Sequence, residues 1–363
     1  MNRCLAIPLA LLALAAMTDN AFAASWPAPT EGEYVVRDFR FASGESLPGL
    51  RLHYRTLGQI HRDANGHVDN AVLIMHGTGG AGTQFLQDRF AGELFGPGQP
   101  LDATTHFIVL PDAIGHGKSS KPSDGLRMKF PHYDYDDMVR ADHELLTAKL
   151  KVDHLRLVMG TSMGGMHTWV WGEAYPEFMD ALMPLASAPV QIAGRNRVMR
   201  KMIADAILGD PEWNHGEYAK QPRGLSEAAN IILLMGSAPL QWQKDAPDRD
   251  SADRYLATRL QTLLKDDDAN DCLYQFDASR DYDPQPKLAS IKAPLLAVNS
   301  ADDEINPPEL GILEREIQRV PRGRVVVIPI SDATHGHSTH TWAAVWKPLL
   351  VSLLAQSDAR SAR

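Results

Sequence analysis

One serine lies between two glycines directly after a short apolar run, in the stretch VMGTSMGGMH (158–167). A Gly-x-Ser-x-Gly pattern at the end of a strand predicts a sharp turn into a helix, with the serine at the tip of the turn. Glycines suit the flanking positions because a Cβ atom there would collide with neighbouring backbone. This stretch therefore predicts a strand–turn–helix unit that exposes the hydroxyl of Ser162.

Short apolar runs alternate with longer helical patterns, which predicts an α/β protein with a mostly parallel sheet. The runs lie at 70–77, 106–112, 154–160, 180–187, 294–300 and 323–330. The gap between the fourth and fifth runs is too long for one crossover helix and contains several helical patterns. We therefore expect a helical cap over the carboxyl ends of the strands, where ligands bind in open α/β sheets.

The amino-terminal residues have the layout of a secretory signal peptide: Arg3, an apolar stretch from Cys4 to Met17, and Ala21-Phe22-Ala23. An uncleaved anchor helix is the alternative, but the apolar stretch is short for a bilayer span. The predicted organisation is a signal peptide (1–23), a first part of the core (24–189), a helical cap (190–290) and a second part of the core (291–363).

The composition limits the partners and cofactors that we expect. A formal net charge of −9 in 363 residues argues against nucleic acid and anionic membrane surfaces as partners. Cleavage after Ala23 removes Cys4 and leaves Cys272 alone, so no intramolecular disulfide and no cysteine-based metal site are expected. We predict no cofactor and no membrane span in the mature chain.

Acids and histidines follow the last two apolar runs, in that order. A serine hydroxyl is a weak nucleophile that needs a histidine base, and the base needs a carboxylate that fixes its tautomer. The run PLLAVNS (294–300) leads into ADDEINPP, and GRVVVIPI (323–330) leads into SDATHGHSTH. The chain therefore carries the order serine, acid, histidine at the ends of successive strands, which indicates a catalytic triad.

The choice within each loop stays open at this point. The candidate acids are Asp302 and Asp303, and the candidate bases are His335, His337 and His340. We favour Asp303 because it lies four residues before Pro307, with its neighbour as a solvated residue. We favour His337 because the preceding Gly336 offers the tight backbone that a base on a loop needs.

An oxyanion that forms on attack needs two backbone N–H donors. Met163 follows the nucleophile at the start of the predicted helix, where N–H groups have no intrahelical acceptor. The second candidate is Thr78, in the glycine-rich stretch HGTGG (76–80). We interpret His76 in that stretch as a structural hydrogen-bonding residue and GHGKS (115–119) as a turn.

Two polar segments could suggest metal ions, and we interpret neither as a metal site. HGHSTH (335–340) has no matching cysteine, and helical zinc motifs space their histidines differently. KDDDANDC (265–272) lacks the glycine and the glutamate that a calcium loop requires, so we interpret it as a solvated helix start.

Several motifs together resemble one known family. FGPGQPLD, FPHYDYDDMVRADHELL, GTSMGGMH, GDPEWNHGEY and INPP are similar, in order, to signatures of the homoserine O-acetyltransferase branch of the α/β-hydrolase superfamily. The similarity runs from about residue 33 to 350. The resemblance implies an α/β-hydrolase fold, with Ser162 as nucleophile, Asp303 as acid and His337 as base. It also implies that Arg200 faces the substrate from the cap and that a homodimer forms through the cap helices.

Two departures from this family favour hydrolysis over acetyl transfer. The family's catalytic histidine is followed by an aspartate that helps to hold the amino-acid substrate, whereas His337 is followed by Ser338. An exported protein is also separated from acetyl-CoA, a cytoplasmic metabolite. We expect a periplasmic or secreted serine hydrolase that cleaves a small-molecule ester or related acyl bond through an acyl-enzyme. An O-acyltransferase of the homoserine type and a non-catalytic binding protein are the alternatives.

Overall fold

A computed structural model describes residues 26–361, so the predicted signal peptide and its cleavage site lie outside the described residues. One sheet has the strand order β1-β2-β4-β3-β5-β6-β7-β8. The strands are β1 (Thr30–Arg40), β2 (Ser46–Leu57), β3 (Ala71–Met75), β4 (Phe107–Pro111), β5 (Leu157–Thr161), β6 (Leu182–Leu185), β7 (Leu295–Ser300) and β8 (Gly323–Ile328). Strands β3 to β8 are parallel, whereas β2 pairs antiparallel with both β1 and β4.

The six parallel strands coincide with the six apolar runs, so the predicted α/β class is confirmed. The β1–β2 hairpin is an addition that the apolar runs do not predict. Most side chains of β1 are exposed or half-buried, because β1 is an edge strand, and its sequence is accordingly polar. Backbone pairing from Thr30 opposite Thr56 to Arg40 opposite Ser46 holds the hairpin together.

Helices cover both faces of the sheet. They are α1 (Ala91–Leu94), α2 (Tyr135–Glu144), α3 (Met163–Ala174), α4 (Gly194–Leu208), α5 (Arg223–Met235), α6 (Pro239–Asp245), α7 (Arg249–Leu263), α8 (Ala269–Asp277), α9 (Ile312–Glu316) and α10 (Ala343–Ser361). Val72 and Ile74 of β3 belong to the buried cluster formed with α1 and α10. Leu73 and Met75 belong to the cluster formed with α2 and α3, as the alternation of side chains along a strand requires.

Helices α4 to α8 lie between β6 and β7, and we refer to them as the inserted helices. Residues of α4, α5 and α8 form a separate apolar cluster. In this cluster Ile203 and Ile207 of α4 pack with Leu225 of α5 and Phe276 of α8. Helices α4, α5 and α7 coincide with the sequence stretches of helical period at 196–208, 225–235 and 252–264, whereas α6 and α8 are additions. The domain boundaries drawn at residues 190 and 290 stay a prediction.

The acidic segment 265–272 leads into α8 and is only partly solvated. Asp268 caps the helix by accepting hydrogen bonds from the N–H groups of Asn270 and Asp271. Asp271 is buried and accepts from the Ser123 N–H at 2.8 Å and from the Ser123 hydroxyl at 2.6 Å. The interpretation as a solvated helix start is therefore wrong for Asp271, which ties α8 to the core.

The candidate nucleophile, acid, base and oxyanion loop follow the carboxyl ends of parallel strands. The loop HGTGG follows β3, Ser162 follows β5, Asp303 follows β7 and His337 follows β8. These strand ends share one edge of the sheet, so the fold brings the residues together despite their separation in sequence. Among the residues described, the helices are all too short or too polar to cross a membrane.

Candidate active site

Ser162 occupies the turn between β5 and α3, with backbone angles φ 55° and ψ −112°. A positive φ is unfavourable for a residue that has a side chain, so the surrounding structure holds this turn in a strained conformation. The Ser162 N–H donates to the Leu185 carbonyl at 2.9 Å, and the Ser162 carbonyl accepts from the Met166 N–H at 2.9 Å. These two hydrogen bonds attach the turn to strand β6 on one side and to helix α3 on the other.

The glycines on either side of Ser162 permit close backbone contacts. A Cβ atom on Gly160 would lie 2.2 Å from the carbonyl oxygen of Gly164. A Cβ atom on Gly164 would lie 1.9 Å from the carbonyl oxygen of Met75, at the end of β3. No side chain fits at either position, which explains physically why the sequence has glycine there.

Three side chains from three different loops form a continuous hydrogen-bond chain. His337 Nε2 lies 2.8 Å from Ser162 Oγ, and His337 Nδ1 lies 2.9 Å from Asp303 Oδ2 and 3.0 Å from Asp303 Oδ1. Asp303 is 2% exposed and His337 is 7% exposed, so water has little access to this chain. A carboxylate at Nδ1 favours the tautomer with the proton on that nitrogen, which leaves Nε2 able to accept the serine proton.

The carboxylate of Asp303 is held in its charged form. It accepts from the Ile305 N–H at 2.8 Å, from the Asn306 N–H at 3.1 Å and from Asn306 Nδ2 at 3.3 Å. Burial acts to raise the pKa of Asp303, but the electrostatic attraction to His337 and the hydrogen bonds to the carboxylate outweigh it and keep the pKa below its usual value. Sequence reasoning assigned no role to Asn306, although the motif INPP contains it.

Asp302 lies beside the hydrogen-bond chain and is not part of it. Its Oδ2 accepts from the Thr334 hydroxyl at 2.9 Å and from the Gly336 N–H at 3.0 Å. The expectation that Asp302 is a solvated neighbour is therefore wrong, because the half-buried carboxylate is bonded to the histidine-bearing loop. Sequence reasoning missed this contact, since no local pattern links two residues that lie 34 positions apart.

The other two histidines of HGHSTH do not contact Ser162. His335 stacks on Trp342 with the ring centroids 3.9 Å apart, and His340 packs edge-on against His337 at 5.1 Å. Burial lowers the pKa of His340 to about 3, so its imidazole stays neutral. Within residues 26–361 no cluster of histidine, cysteine, aspartate and glutamate side chains is arranged to hold a metal ion.

The backbone of the HGTGG loop runs beside the Ser162 hydroxyl. A Cβ atom on Gly77 would lie 4.0 Å from Ser162 Oγ, so the loop backbone approaches the hydroxyl at the residue before Thr78. Neither the Thr78 N–H nor the Met163 N–H donates to an acceptor in the described part of the chain. Two N–H groups near Ser162 are therefore available for an oxyanion.

His76 is buried and forms hydrogen bonds that hold the HGTGG loop in place. Its Nδ1 lies 2.8 Å from the Gly77 carbonyl oxygen, and its Nε2 accepts from the Ala113 N–H at 3.0 Å. These partners assign the ring proton to Nδ1. Burial lowers the pKa of His76, so a neutral ring joins the loop to the end of β4.

Arg200 of α4 is a buried cation without an acidic partner among the described residues. Its Nε donates to Asn196 Oδ1 at 2.9 Å, its Nη1 donates to Ser279 Oγ at 3.0 Å, and its guanidinium lies 5.4 Å from the centroid of the Phe276 ring. Burial lowers the pKa of Arg200, because removal from water disfavours its charge. Such a site favours an anionic or strongly polar ligand group.

Comparison with known proteins agrees with this fold. Residues 70–335 match the family of the alpha/beta hydrolase fold. A probable acyltransferase from Methanothermobacter thermautotrophicus is 28% identical over 323 residues, which cover 88% of this chain and 96% of that protein. A homoserine O-acetyltransferase from Geotalea uraniireducens is 31% identical over 312 residues, which cover 75% of this chain and 81% of that protein.

Two solved structures share the fold at lower sequence identity. Esterase E22 aligns with a TM-score of 0.78 at 20% sequence identity, and the alignment covers 90% of this chain and 100% of the esterase chain. Homoserine O-acetyltransferase from Bacillus anthracis aligns with a TM-score of 0.78 at 19% sequence identity, and the alignment covers 90% of this chain and 98% of the acetyltransferase chain. The chain is therefore an enzyme of the esterase or acyltransferase type that belongs to the α/β hydrolase fold family, in its homoserine O-acetyltransferase-like branch.

Proposed function

We propose that the protein is an exported serine hydrolase that cleaves an ester or related acyl bond through an acyl-enzyme. The observation that carries the proposal is the hydrogen-bond chain from Ser162 through His337 to Asp303, with links of 2.8 and 2.9 Å. In this proposal Ser162 is the nucleophile, His337 is the general base and acid, and Asp303 orients the imidazole.

The proposed reaction has two half-reactions. Ser162 Oγ attacks the acyl carbonyl while His337 Nε2 takes its proton, and His337 then gives that proton to the leaving alcohol. A water that loses its proton to His337 attacks the acyl-enzyme, and the proton returns to Ser162 as the carboxylic acid leaves. The N–H groups of Thr78 and Met163 bind the oxyanion in both steps, and each donor contributes on the order of 10²–10³ in rate.

Arg200 supports a role in substrate binding. Arg200 is 4% exposed, and in the described chain it donates to neutral oxygens of Asn196 and Ser279 and interacts with the neutral hydroxyl of Tyr135. A buried cation with neutral partners gains most from an anionic group, since charge-assisted hydrogen bonds are about twice as strong as neutral ones. We infer that Arg200 binds a carboxylate or another strongly polar group of the substrate.

An O-acyltransferase is the second candidate, and the relatives named homoserine O-acetyltransferase favour it. The same acyl-enzyme would then pass its acyl group to an alcohol instead of water. Two features favour water. Ser338 follows His337 where the resembled family has a substrate-binding aspartate, a contact worth about 1.5–3 kcal/mol to a cationic amine. The predicted export signal also separates the enzyme from acetyl-CoA.

The two reactions can be compared with one preparation of residues 24–363. We expect hydrolysis of a short-chain aryl ester without any added acceptor, measured as continuous release of the coloured phenolate that leaves in the acylation step. We expect little free CoA from acetyl-CoA plus homoserine. Ser162→Ala is the matched control for both assays, because it removes the acyl-enzyme on which either reaction depends. Rapid homoserine-dependent CoA release with negligible ester hydrolysis would make the transferase the better assignment, and no turnover of either would favour a binding protein.

We further propose that residues 1–23 direct export to the periplasm or the medium and are removed. The support is the order of a cationic residue, an apolar stretch and the small-residue sequence Ala21-Phe22-Ala23. Amino-terminal sequencing of protein from a fractionated expression host should find Ala24 as the first residue outside the cytoplasm. A chain that keeps Met1 and stays in the cytoplasm contradicts export.

Exposed apolar side chains on the inserted helices support a homodimer. Val198 and Met202 of α4 are 57% and 49% exposed, and Leu234 of α5 is 61% exposed. Apolar groups concentrated on one part of a surface favour contact with another protein chain. We propose that these helices pair two copies of the chain. Light scattering after size exclusion should give twice the mass of one mature chain, and the mass of a single chain at micromolar concentration contradicts the dimer.

A further inference from the structure

Asp302, the residue before the proposed acid, joins the end of β7 to the loop that carries His337. Its Oδ1 accepts a hydrogen bond from the Ser300 hydroxyl. Its Oδ2 accepts from the Gly336 N–H at 3.0 Å and from the Thr334 hydroxyl at 2.9 Å. The two neighbouring aspartates thus contact different parts of the same loop: Asp303 contacts the imidazole ring, and Asp302 contacts the backbone immediately before it.

The histidine-bearing loop, residues 331–337, depends on such contacts for its position. Residues 331–333 are exposed, so the loop begins away from the packed core. Gln241 of α6 donates to the carbonyl oxygens of Asp332 at 3.0 Å and Thr334 at 2.8 Å, on the side of the inserted helices. Asp302 holds the same loop from the side of the sheet.

Gly336 packs closely against both the inserted helices and the sheet side of the loop, so the loop has little room to move there. Gly336 has φ +58°, and a Cβ atom there would lie 2.6 Å from the carbonyl oxygen of Ser237 and 3.2 Å from that of Asp302. At Gly336, the residue before His337, the histidine-bearing loop is therefore confined between the segment of Ser237 and the segment of Asp302. Loss of the Asp302 carboxylate frees the Gly336 N–H on one side of this confined position.

We propose that Asp302 is a positioning residue that sets the distance between His337 and Ser162 through its hydrogen bonds to the histidine-bearing loop. This inference rests on the proposed function, because it assumes that His337 is the base. A displacement of about 1 Å in a reacting group lowers the rate by about 10²-fold. The contribution of Asp302 comes from its hydrogen-bond acceptors rather than from its charge.

Comparison of Asp302→Ala with Asp302→Asn separates the effect of the lost hydrogen-bond acceptors from the effect of the lost charge. An asparagine carbonyl oxygen in place of Oδ2 still accepts from Gly336 and Thr334, and its amide can donate to the Ser300 hydroxyl. We expect Asp302→Ala to lower kcat and the rate of fluorophosphonate labelling of Ser162 by about 10²-fold, with KM changed less than about threefold. We expect Asp302→Asn to recover the rates to within about fivefold of the parent.

The experiment uses the mature chain with Glu309→Ala as the matched control, since Glu309 is an exposed carboxylate shortly after the same strand. Thermal melting shows whether each variant is folded. Asp302→Ala rates within about threefold of the parent would overturn the proposal. Equal losses in the alanine and asparagine variants would also overturn it, because they would assign the effect to charge. A higher KM with unchanged kcat would overturn it as well.

Thr334→Val decides the outcome if Asp302→Ala does not fold. It removes the Thr334 hydroxyl bond to Asp302 Oδ2, together with the contacts of that hydroxyl to the Ser331 N–H and carbonyl within the same loop, while keeping a side chain of similar volume. A loss of about tenfold in kcat supports the proposal, and an unchanged kcat overturns it. Failure of the proposed function is distinguishable, because Ser162→Ala would then be labelled like the parent whatever the Asp302 variants do.

Discussion

Ser162→Ala will abolish covalent labelling by a fluorophosphonate and lower ester turnover by about 10⁴-fold or more. The reason is chemical and local. The Ser162 hydroxyl lies 2.8 Å from His337 Nε2, and the turn that carries it holds φ at 55° against the usual preference. Alanine keeps the backbone and removes only the nucleophilic oxygen, so the loss reports the acyl-enzyme step directly.

The measurement needs a folded variant and a serine control. Ser290→Ala removes an exposed hydroxyl whose hydrogen bond goes to the Lys287 carbonyl, and we expect it to label and turn over like the parent. A melting transition for Ser162→Ala that matches the parent excludes unfolding as the cause. If Ser162→Ala retained the label and the turnover, the nucleophile would have to be another residue.

Asp303→Asn will lower kcat by about 10⁴-fold, the size of effect that the wrong imidazole tautomer causes in a triad. The Asp303 carboxylate accepts a hydrogen bond from the Nδ1–H of His337, with Nδ1 and Oδ2 2.9 Å apart. An asparagine amide can donate to Nδ1 instead, which moves the ring proton to Nε2 and prevents that nitrogen from accepting the serine proton. The asparagine carbonyl oxygen can still accept a hydrogen bond from the Ile305 N–H, so we expect the loop after β7 to keep its conformation.

The neighbouring aspartate supplies the matched control for this prediction. Asp302→Asn makes the same chemical change one residue away, where only acceptors for the Gly336 N–H and the Thr334 hydroxyl are needed. We therefore expect the Asp303 variant to be at least about a thousandfold slower than the Asp302 variant in kcat. Steady-state kinetics on a short-chain aryl ester measures the ratio, and a reversed order would contradict the assignment of Asp303 as the acid.

The sequence alone determined the fold class, because the information is local. Five of the six parallel strands, β3 to β7, are buried on both faces, so each appears as a continuous apolar run that can be recognised without knowledge of its partners. The half-buried edge strand β8 has an apolar run as well. Ser162 was recognisable for a similar reason, since close backbone contacts at Gly160 and Gly164 leave a short pattern in the sequence. The β1–β2 hairpin was not recognisable, because an exposed edge strand has no such run.

Only the tertiary structure decided which residues meet. Two aspartates and three histidines follow the last strands, and the local sequence favoured Asp303 and His337 without deciding between the candidates. The direction of each side chain at a strand end depends on contacts with distant residues. Asp303 reaches His337 across 34 positions, and His337 reaches Ser162 across 175. Hydrogen bonds over such separations leave no local pattern, so the roles of Asp302 and Asn306 emerge only when the chain is folded.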